Sequence, residues 1–186
     1  MLKSERIALN LLARCSSIAT HARDLASLTN ARLAGTRKTT PGFRLMEKYA
    51  LAVAGIDTHR MSCTDCIMIK DNHIDLHNGD VKSAVLATKS LASFTTKIEV
   101  ECRSIADAEM AIESGADIVM LDNFIPNDTE IENLSSLNPG ILIELSGGIN
   151  AKNLHLYPDN PRITLSLGSL THSLPPLLDF SFKIIK

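Results

Sequence analysis

Short apolar runs alternate with helical stretches along most of the chain, and this alternation limits the folds that the sequence can adopt. Runs of about five apolar residues that end at turn residues indicate strands, and stretches of ten or more with helical spacing indicate helices. Strands that are apolar on both faces are typical of a parallel sheet covered by helices. The predicted strands are 32–34, 67–69, 97–101, 117–121, 141–145 and 163–167.

The short connections favour an incomplete (βα) barrel of about six parallel strands over an open doubly wound sheet. A long helix from Ser4 to about Leu28 precedes the barrel, and Leu178 to Ile185 is expected to form an extra strand. Residues 1–30 are thus an N-terminal helix leading into the barrel, and 31–186 are the barrel domain. Other helices are predicted at 41–54, after Thr40-Pro41, and at 80–92, 104–115, 128–137 and 150–156.

Composition excludes several classes of protein. A net charge of -2 and a pI near 6.3 argue against a general nucleic-acid or membrane-surface binder. The sequence contains neither G-x-G-x-x-G nor G-x-x-x-x-G-K-[ST], which counts against a dinucleotide or P-loop fold.

Four cysteines without a signal peptide suggest reduced thiols and a cytoplasmic location. Cys63 and Cys66 lie near His59, but zinc is not favoured because no second ligand pair follows at finger spacing.

Polar or glycine-rich residues follow each predicted strand, at the end where βα barrels build their sites. The early part of the chain supplies cations, the middle strands supply Glu101 and Asp122, and the late strands supply glycines beside serines. Cations and backbone N–H groups bind phosphates, and Mg²⁺ commonly lies between carboxylates and phosphates. We therefore expect a phosphorylated, anionic substrate and Mg²⁺ held by Glu101 and Asp122. The cations are Arg37, Lys38, Arg44, His59, Arg60 and Lys70, and the late residues are Ser146, Gly147, Gly148, Gly168 and Ser169.

A series of motifs, in order and at sensible spacing, resembles quinolinate phosphoribosyltransferase, also called nicotinate-nucleotide pyrophosphorylase (carboxylating). These motifs cover nearly the whole chain. They are Glu5-Arg6, Ser17-Ile18-Ala19-Thr20, Gly35-Thr36-Arg37-Lys38-Thr39-Thr40-Pro41-Gly42, Glu47-Lys48-Tyr49, His59-Arg60, Ile69-Lys70-Asp71-Asn72-His73, Val100-Glu101, Met120-Leu121-Asp122-Asn123, Ser146-Gly147-Gly148-Ile149 and Gly168-Ser169-Leu170-Thr171-His172.

The resemblance implies transfer of phosphoribose from phosphoribosyl pyrophosphate to quinolinate, with loss of CO₂ and pyrophosphate, to give nicotinate mononucleotide for NAD biosynthesis. It also implies roles for site residues. Quinolinate would be held by Arg37, His59, Arg60 and Lys38, with Arg6 contributed by a neighbouring subunit. Lys70, Glu101 and Asp122 would face the sugar, the pyrophosphate and Mg²⁺, and Lys38 would join them as a catalytic residue. The 5′-phosphate would be bound by Ser146, Gly147, Gly148 and Gly168, with His172 nearby.

The resemblance further implies a homodimer or a hexamer of dimers, with no nucleic-acid or membrane partner. The family has a separate N-terminal lid domain, and the expectation from this sequence is a barrel without it. Two alternatives follow. One is a truncated, inactive or partner-dependent remnant that binds phosphate ligands, and the other is a phosphoribosyltransferase that uses nicotinate without decarboxylation.

Overall fold

The computed structural model describes residues 4–173 and 177–183. Six strands alternate with six α-helices in the order that the sequence predicts, apart from one additional short helix. The strands are β1 (Arg32–Ala34), β2 (Ile67–Ile69), β3 (Ile98–Cys102), β4 (Ile118–Asp122), β5 (Leu142–Ser146) and β6 (Ile163–Ser166). The helices are α1 (Glu5–Ala26), α2 (Arg44–Val53), α3 (Asp71–Leu76), α4 (Val81–Leu91), α5 (Ile105–Glu113) and α6 (Asp128–Leu137), and 3-10 turns occupy Leu154–Leu156 and Gly168–Leu170.

The strands form one parallel sheet in the order β1-β6-β5-β4-β3-β2, which is the order around a barrel that is open between β1 and β2. At this opening, Asp57 forms a parallel bridge with Ala34, so the segment after α2 extends the β1 edge. The prediction of an incomplete α/β barrel of six parallel strands is confirmed.

The two faces of the sheet differ in polarity. Side chains that point outward from the barrel are apolar and fully buried beneath the helices, as Val100, Val119 and Leu145 show. Side chains that point inward include Glu99 and Glu101 on β3 and Glu144 on β5, all of them buried. The apolar core therefore lies between the sheet and the helices, whereas the inside of the barrel is polar and available for a site.

Side-chain caps fix where several helices begin. Asp80 accepts a hydrogen bond from the backbone N–H of Ser83 at the start of α4. Ser104 caps the start of α5, but a reciprocal capping box does not form there. Ser104 accepts from the N–H of Asp107, but the Asp107 carboxylate turns back to the N–H of Arg103.

Some boundaries differ from the predictions. The long first helix ends at Ala26, and α2 begins at Arg44 because residues 41–43 form a turn. The helix predicted at 150–156 does not form, and only its last three residues adopt a 3-10 turn. The short helix α3 was not predicted from the sequence.

The predicted C-terminal strand is wrong for its described part, because residues 177–183 contain no strand. Leu178 donates its backbone N–H to the hydroxyl of Ser17 on α1 instead of to a neighbouring strand. Residues 184–185 of this prediction lie outside the described residues.

Candidate active site

Two cavities lie one above the other along the barrel axis. The upper cavity, of about 610 Å³, opens at the C-terminal ends of the strands, and the lower cavity, of about 290 Å³, lies toward their N-terminal ends. His59, Arg60 and Glu144 line both cavities and so form the layer between them. The upper cavity brings together eleven of the predicted site residues: Arg37, Lys38, Arg44, His59, Arg60, Lys70, Glu101, Asp122, Ser146, Gly147 and Gly148.

One side of the upper cavity is formed by Arg37, Lys38, Arg44, His59 and Arg60, which we call the cationic half. Arg44 is largely committed to the protein, since its guanidinium donates to the carbonyl oxygens of Arg37 and Met61 at 3.1 and 3.0 Å. Its role is to join the two loops that carry the other cations. Arg37 lies 3.0 Å from the sulfur of Cys63, a contact that the sequence did not indicate.

Arg60 is anchored below the cavity floor. Its guanidinium donates to the carbonyl oxygen of Cys66 at 3.2 Å and contacts the sulfur of Met68 at 3.0 Å. Its Nε atom is buried and has no hydrogen-bond partner in the described part of the chain. The protein therefore uses only two of the five guanidinium N–H groups, and the buried Nε donor is left without a partner among the described residues.

His59 adopts the left-handed backbone conformation, with φ +56°, and the Asp57 carboxylate accepts its N–H at 2.7 Å. The N–H of Arg60 donates to Nδ1 of the ring at 2.8 Å, which leaves the proton of the neutral ring on Nε2. Nε2 lies 3.4 Å from the Glu144 carboxylate.

Two effects on the charge of His59 oppose each other. Burial lowers the pKa of His59, but the hydrogen bond and negative charge of Glu144 outweigh burial and raise it. A second proton would have to enter at Nδ1, where the Arg60 N–H already donates. Both ring nitrogens thus contact the protein, and His59 presents no free N–H to the upper cavity in this conformation.

His59, Glu99 and Glu144 are close enough to suggest a metal site, since one possible ligand atom of each lies within 4.8 Å of the others. The proton on Nε2 argues against it, because the ring nitrogen that faces the carboxylates is a donor. Burial and the nearby charge of Glu144 raise the pKa of Glu99 to about 7, opposed by His59 and Arg60. We interpret the cluster as a polar group at the floor of the upper cavity, in which His59 contacts Glu144 and the Cys66 thiol contacts Glu99.

Lys70, Glu101 and Asp122 lie together at the ends of β2, β3 and β4. The Lys70 ammonium donates to the Glu101 carboxylate, and Asn123 donates to Asp122 at 2.6 Å. Burial and then the charge of Glu101 raise the pKa of Asp122, with Asn123, Lys70 and Lys38 acting in the opposite direction. Two neighbouring carboxylates repel each other, and their oxygen atoms are ligands that suit Mg²⁺.

The opposite side of the cavity, which we call the glycine half, contains Ser146, Gly147 and Gly148 after β5. Gly147 has φ +112° and packs so closely on Asn123 that a Cβ atom would lie 2.3 Å from its side-chain oxygen. Tyr157 donates its hydroxyl to the Gly147 carbonyl at 3.1 Å. Local backbone geometry therefore shapes this half.

Four predicted site residues lie outside the lining of the upper cavity: Arg6, Gly168, Ser169 and His172. Gly168 is adjacent to it, because a Cβ atom there would be 3.2 Å from Cδ of Lys38. His172 is exposed, and its backbone N–H donates to the Gly168 carbonyl at 2.8 Å. Arg6 is exposed on α1, and its contribution to another subunit stays a prediction.

The structure also reveals two buried charged residues that sequence reasoning did not select. Glu47 and Lys48 on α2 are 0% and 1% exposed, although charged side chains are rarely buried so completely. Two large apolar side chains of the same helix are instead on its outer side, where Leu45 and Tyr49 are 70% and 62% exposed. The sequence signal for the burial of Glu47 and Lys48 was that an acidic and a basic residue are adjacent in a largely apolar helix.

Together, the open α/β barrel and a cavity lined by cations, paired carboxylates and glycine turns define a barrel suited to phosphorylated ligands. Residues 16–183 match the family described as quinolinate phosphoribosyl transferase, C-terminal domain. The chain belongs to this family.

Relatives and solved structures agree with this assignment. The chain is 44% identical over 191 residues to the carboxylating nicotinate-nucleotide pyrophosphorylase of rat and 45% identical over 193 residues to that of human. In each case it is aligned over 99% of its own length, and it spans 63% and 64% of the relatives. The NadC structure from Streptococcus pyogenes superposes with a TM-score of 0.87 at 40% identity, covering 98% of this chain and 64% of that one.

The described residues contain no helix that is both long and apolar enough to cross a membrane.

Proposed function

We propose that this chain carries the catalytic barrel of a quinolinate phosphoribosyltransferase. The reaction joins the pyridine nitrogen of quinolinate to C1′ of phosphoribosyl pyrophosphate, breaks the bond from C1′ to the pyrophosphate oxygen, and then releases CO₂. The observation that carries the proposal is the upper cavity, where cations, two carboxylates and glycine turns face one another. The names of the relatives support the carboxylating reaction.

Each part of the cavity suits one part of this chemistry. Arg37, Lys38 and Arg60 would bind the carboxylates of quinolinate, and the backbone N–H groups of the glycine half would bind the 5′-phosphate. Glu101 and Asp122 would stabilise the positive charge that develops at C1′ as pyrophosphate leaves. After decarboxylation, the electron pair left on the ring carbon is stabilised by the positive ring nitrogen until a proton replaces CO₂.

Mg²⁺ fits the same site, held by Glu101 and Asp122. When bound there, it would neutralise the charge of the leaving pyrophosphate. Lys70 would assist, because its ammonium already lies beside Glu101 and can contact the same phosphates. We also propose that the active assembly is a homo-oligomer, a dimer or a hexamer of dimers, in which Arg6 of one subunit reaches the quinolinate of another.

The test is release of pyrophosphate and CO₂ from quinolinate, phosphoribosyl pyrophosphate and Mg²⁺. We expect both products in equal amounts, and none after Asp122→Asn combined with Glu101→Gln. Nicotinate, which has one carboxylate fewer, should be a poor substrate. Efficient use of nicotinate would instead favour a phosphoribosyltransferase that does not decarboxylate, and no turnover of either pyridine acid by correctly folded protein would contradict the proposal.

A further inference from the structure

Lys48 has an unusual environment for a lysine. It lies on the inner side of α2, is 1% exposed, and directs its ammonium at three successive carbonyl oxygens. It donates to Thr58, to His59 at 3.1 Å and to Arg60 at 2.8 Å. In the described part of the chain, no carboxylate lies within 4.0 Å of this ammonium. Its partners are therefore main-chain oxygens of one loop.

The convergence of these carbonyls follows from the backbone of the loop. Successive carbonyls of an extended chain point in opposite directions, but the left-handed conformation of His59 turns this segment sharply. Buried carbonyl oxygens need hydrogen-bond donors, and an ammonium can provide three from a single point. Lys48 thus supplies donors that this loop conformation requires.

The same loop carries two side chains of the cationic half. His59 and Arg60 leave it toward the layer between the two cavities, where His59 meets Glu144. The Asp57 carboxylate holds the His59 N–H from the other side of the turn. A change at the Lys48 ammonium should therefore be transmitted to the positions of both side chains, although Lys48 itself does not line the upper cavity.

We propose that Lys48 is a positioning residue for recognition of the pyridine dicarboxylate, because it fixes the loop at 58–60, which carries Arg60 to the cavity and His59 to its contact with Glu144 at the floor. This inference rests on the proposed function. Burial, followed by the positive charge of Arg44, lowers the pKa of Lys48 to about 8, with Asp57 opposing the shift. The three carbonyl oxygens nevertheless accept hydrogen bonds from the Lys48 ammonium, so Lys48 acts as a buried hydrogen-bond donor.

The main variants are Lys48→Met, which keeps the length of the side chain without donors, and Lys48→Gln, which keeps two donors. Lys82→Met, at an exposed position of α4, is the matched control. We expect Lys48→Met to raise KM for quinolinate by about tenfold or more, with a smaller rise for Lys48→Gln. KM for phosphoribosyl pyrophosphate should stay within about twofold, because this loop carries members of the cationic half and the glycine half follows β5.

Chemical rescue separates positioning from general packing. In Lys48→Ala, added ethylammonium can place a donor at the vacated position and should lower KM for quinolinate again. Neutral propanol of similar size should not. Should Lys48→Met fail to fold, the Lys48→Gln effect and the rescue of Lys48→Ala carry the test by themselves.

The outcomes distinguish this inference from the proposed function. If the unmodified chain turns over and the Lys48 variants behave like Lys82→Met, or if both KM values rise equally, the positioning role is wrong and the proposed function stands. If the unmodified chain neither binds quinolinate in calorimetry nor turns it over, both are wrong.

Discussion

The two halves of the upper cavity are held in place by different means. In the cationic half, buried charged side chains on α2 hold the loops: Glu47 binds the loop before the helix, and Lys48 binds the loop after it. In the glycine half, the chain is held by its own turns after β5 and by the close packing of Gly147 on Asn123.

This difference follows from the ligands that each half would bind. Phosphate oxygens can accept hydrogen bonds from backbone N–H groups, so a turn at a strand end is sufficient. Carboxylates on a flat ring require side-chain cations at fixed positions, and long side chains must be anchored to reach them. We therefore expect changes in the cationic half to cost more stability than matched changes in the glycine half.

The largest effect is expected for Glu47→Gln. The Glu47 carboxylate accepts from Arg14 at 2.7 Å and from both the N–H and the hydroxyl of Thr40, at 3.0 and 2.8 Å. An amide cannot accept at all these positions, and it leaves the Arg14 charge uncompensated. The free energy of unfolding should fall by about 4 kcal/mol, measured by denaturant titration.

Glu109→Gln, on the exposed side of α5, is the control for this change and should have little effect. A loss of less than about 1 kcal/mol for Glu47→Gln would show that the loop before α2 does not depend on this carboxylate.

The sequence predicted which residues line the cavity better than it predicted the side chains that hold them in place, for a physical reason. Strand ends in a parallel barrel share one face, so the order of strands alone places Lys70, Glu101, Asp122 and Ser146 around one cavity. The face of α2 that is buried could not be predicted in this way, since it depends on carbonyl and amide groups in two distant loops. The structure buries Glu47 and Lys48 of α2 together with Ala50 and Leu51, and it leaves Leu45 and Tyr49 exposed.

Two substitutions, Gly147→Ala and Gly148→Ala, test the glycine half. Gly147→Ala would place a Cβ atom 2.3 Å from the Asn123 side-chain oxygen and 2.9 Å from its Cα atom, at φ +112°. Gly148→Ala meets nothing within 4 Å, so only its backbone conformation at φ +64° is unfavourable. We expect losses of unfolding free energy of about 3 kcal/mol for Gly147→Ala and about 1 kcal/mol for Gly148→Ala.

The kinetic effect should follow the same order. Asn123 donates to Asp122, so displacing Asn123 should also raise KM for phosphoribosyl pyrophosphate more in Gly147→Ala than in Gly148→Ala. Equal effects of the two substitutions would mean that backbone conformation, and not the contact with Asn123, limits this turn.

A pH experiment addresses the floor beneath the cationic half. The pKa of Glu99 is raised to about 7 by burial and by Glu144. Between its usual value and about 7, the folded protein keeps a proton that the unfolded chain has released. The contribution of Glu99 to stability is therefore fully present at low pH and is lost as pH rises toward 7. The loss should be on the order of 2 kcal/mol.

Glutamine at position 99 is neutral at every pH, so Glu99→Gln should remove this loss of stability with rising pH. The free energy of unfolding of Glu99→Gln, compared with that of the unmodified chain, should therefore become more favourable from pH 5 to pH 8. Thermal unfolding across this range measures the difference, with exposed Glu113→Gln as the control. Parallel pH profiles for the unmodified chain and Glu99→Gln would contradict the raised pKa of Glu99.

The smallest effect is expected for Tyr157→Phe, which removes one side-chain support from the glycine half. Tyr157 packs against the apolar core, and its hydroxyl donates to the Gly147 carbonyl at 3.1 Å. Because this carbonyl belongs to a turn near solvent, water can replace the lost donor, and the cost should be about 1 kcal/mol or less. Exposed Tyr49→Phe is the control in denaturant titration. If Tyr157→Phe instead lost as much stability as Glu47→Gln, the glycine half would depend on buried side chains as strongly as the cationic half does.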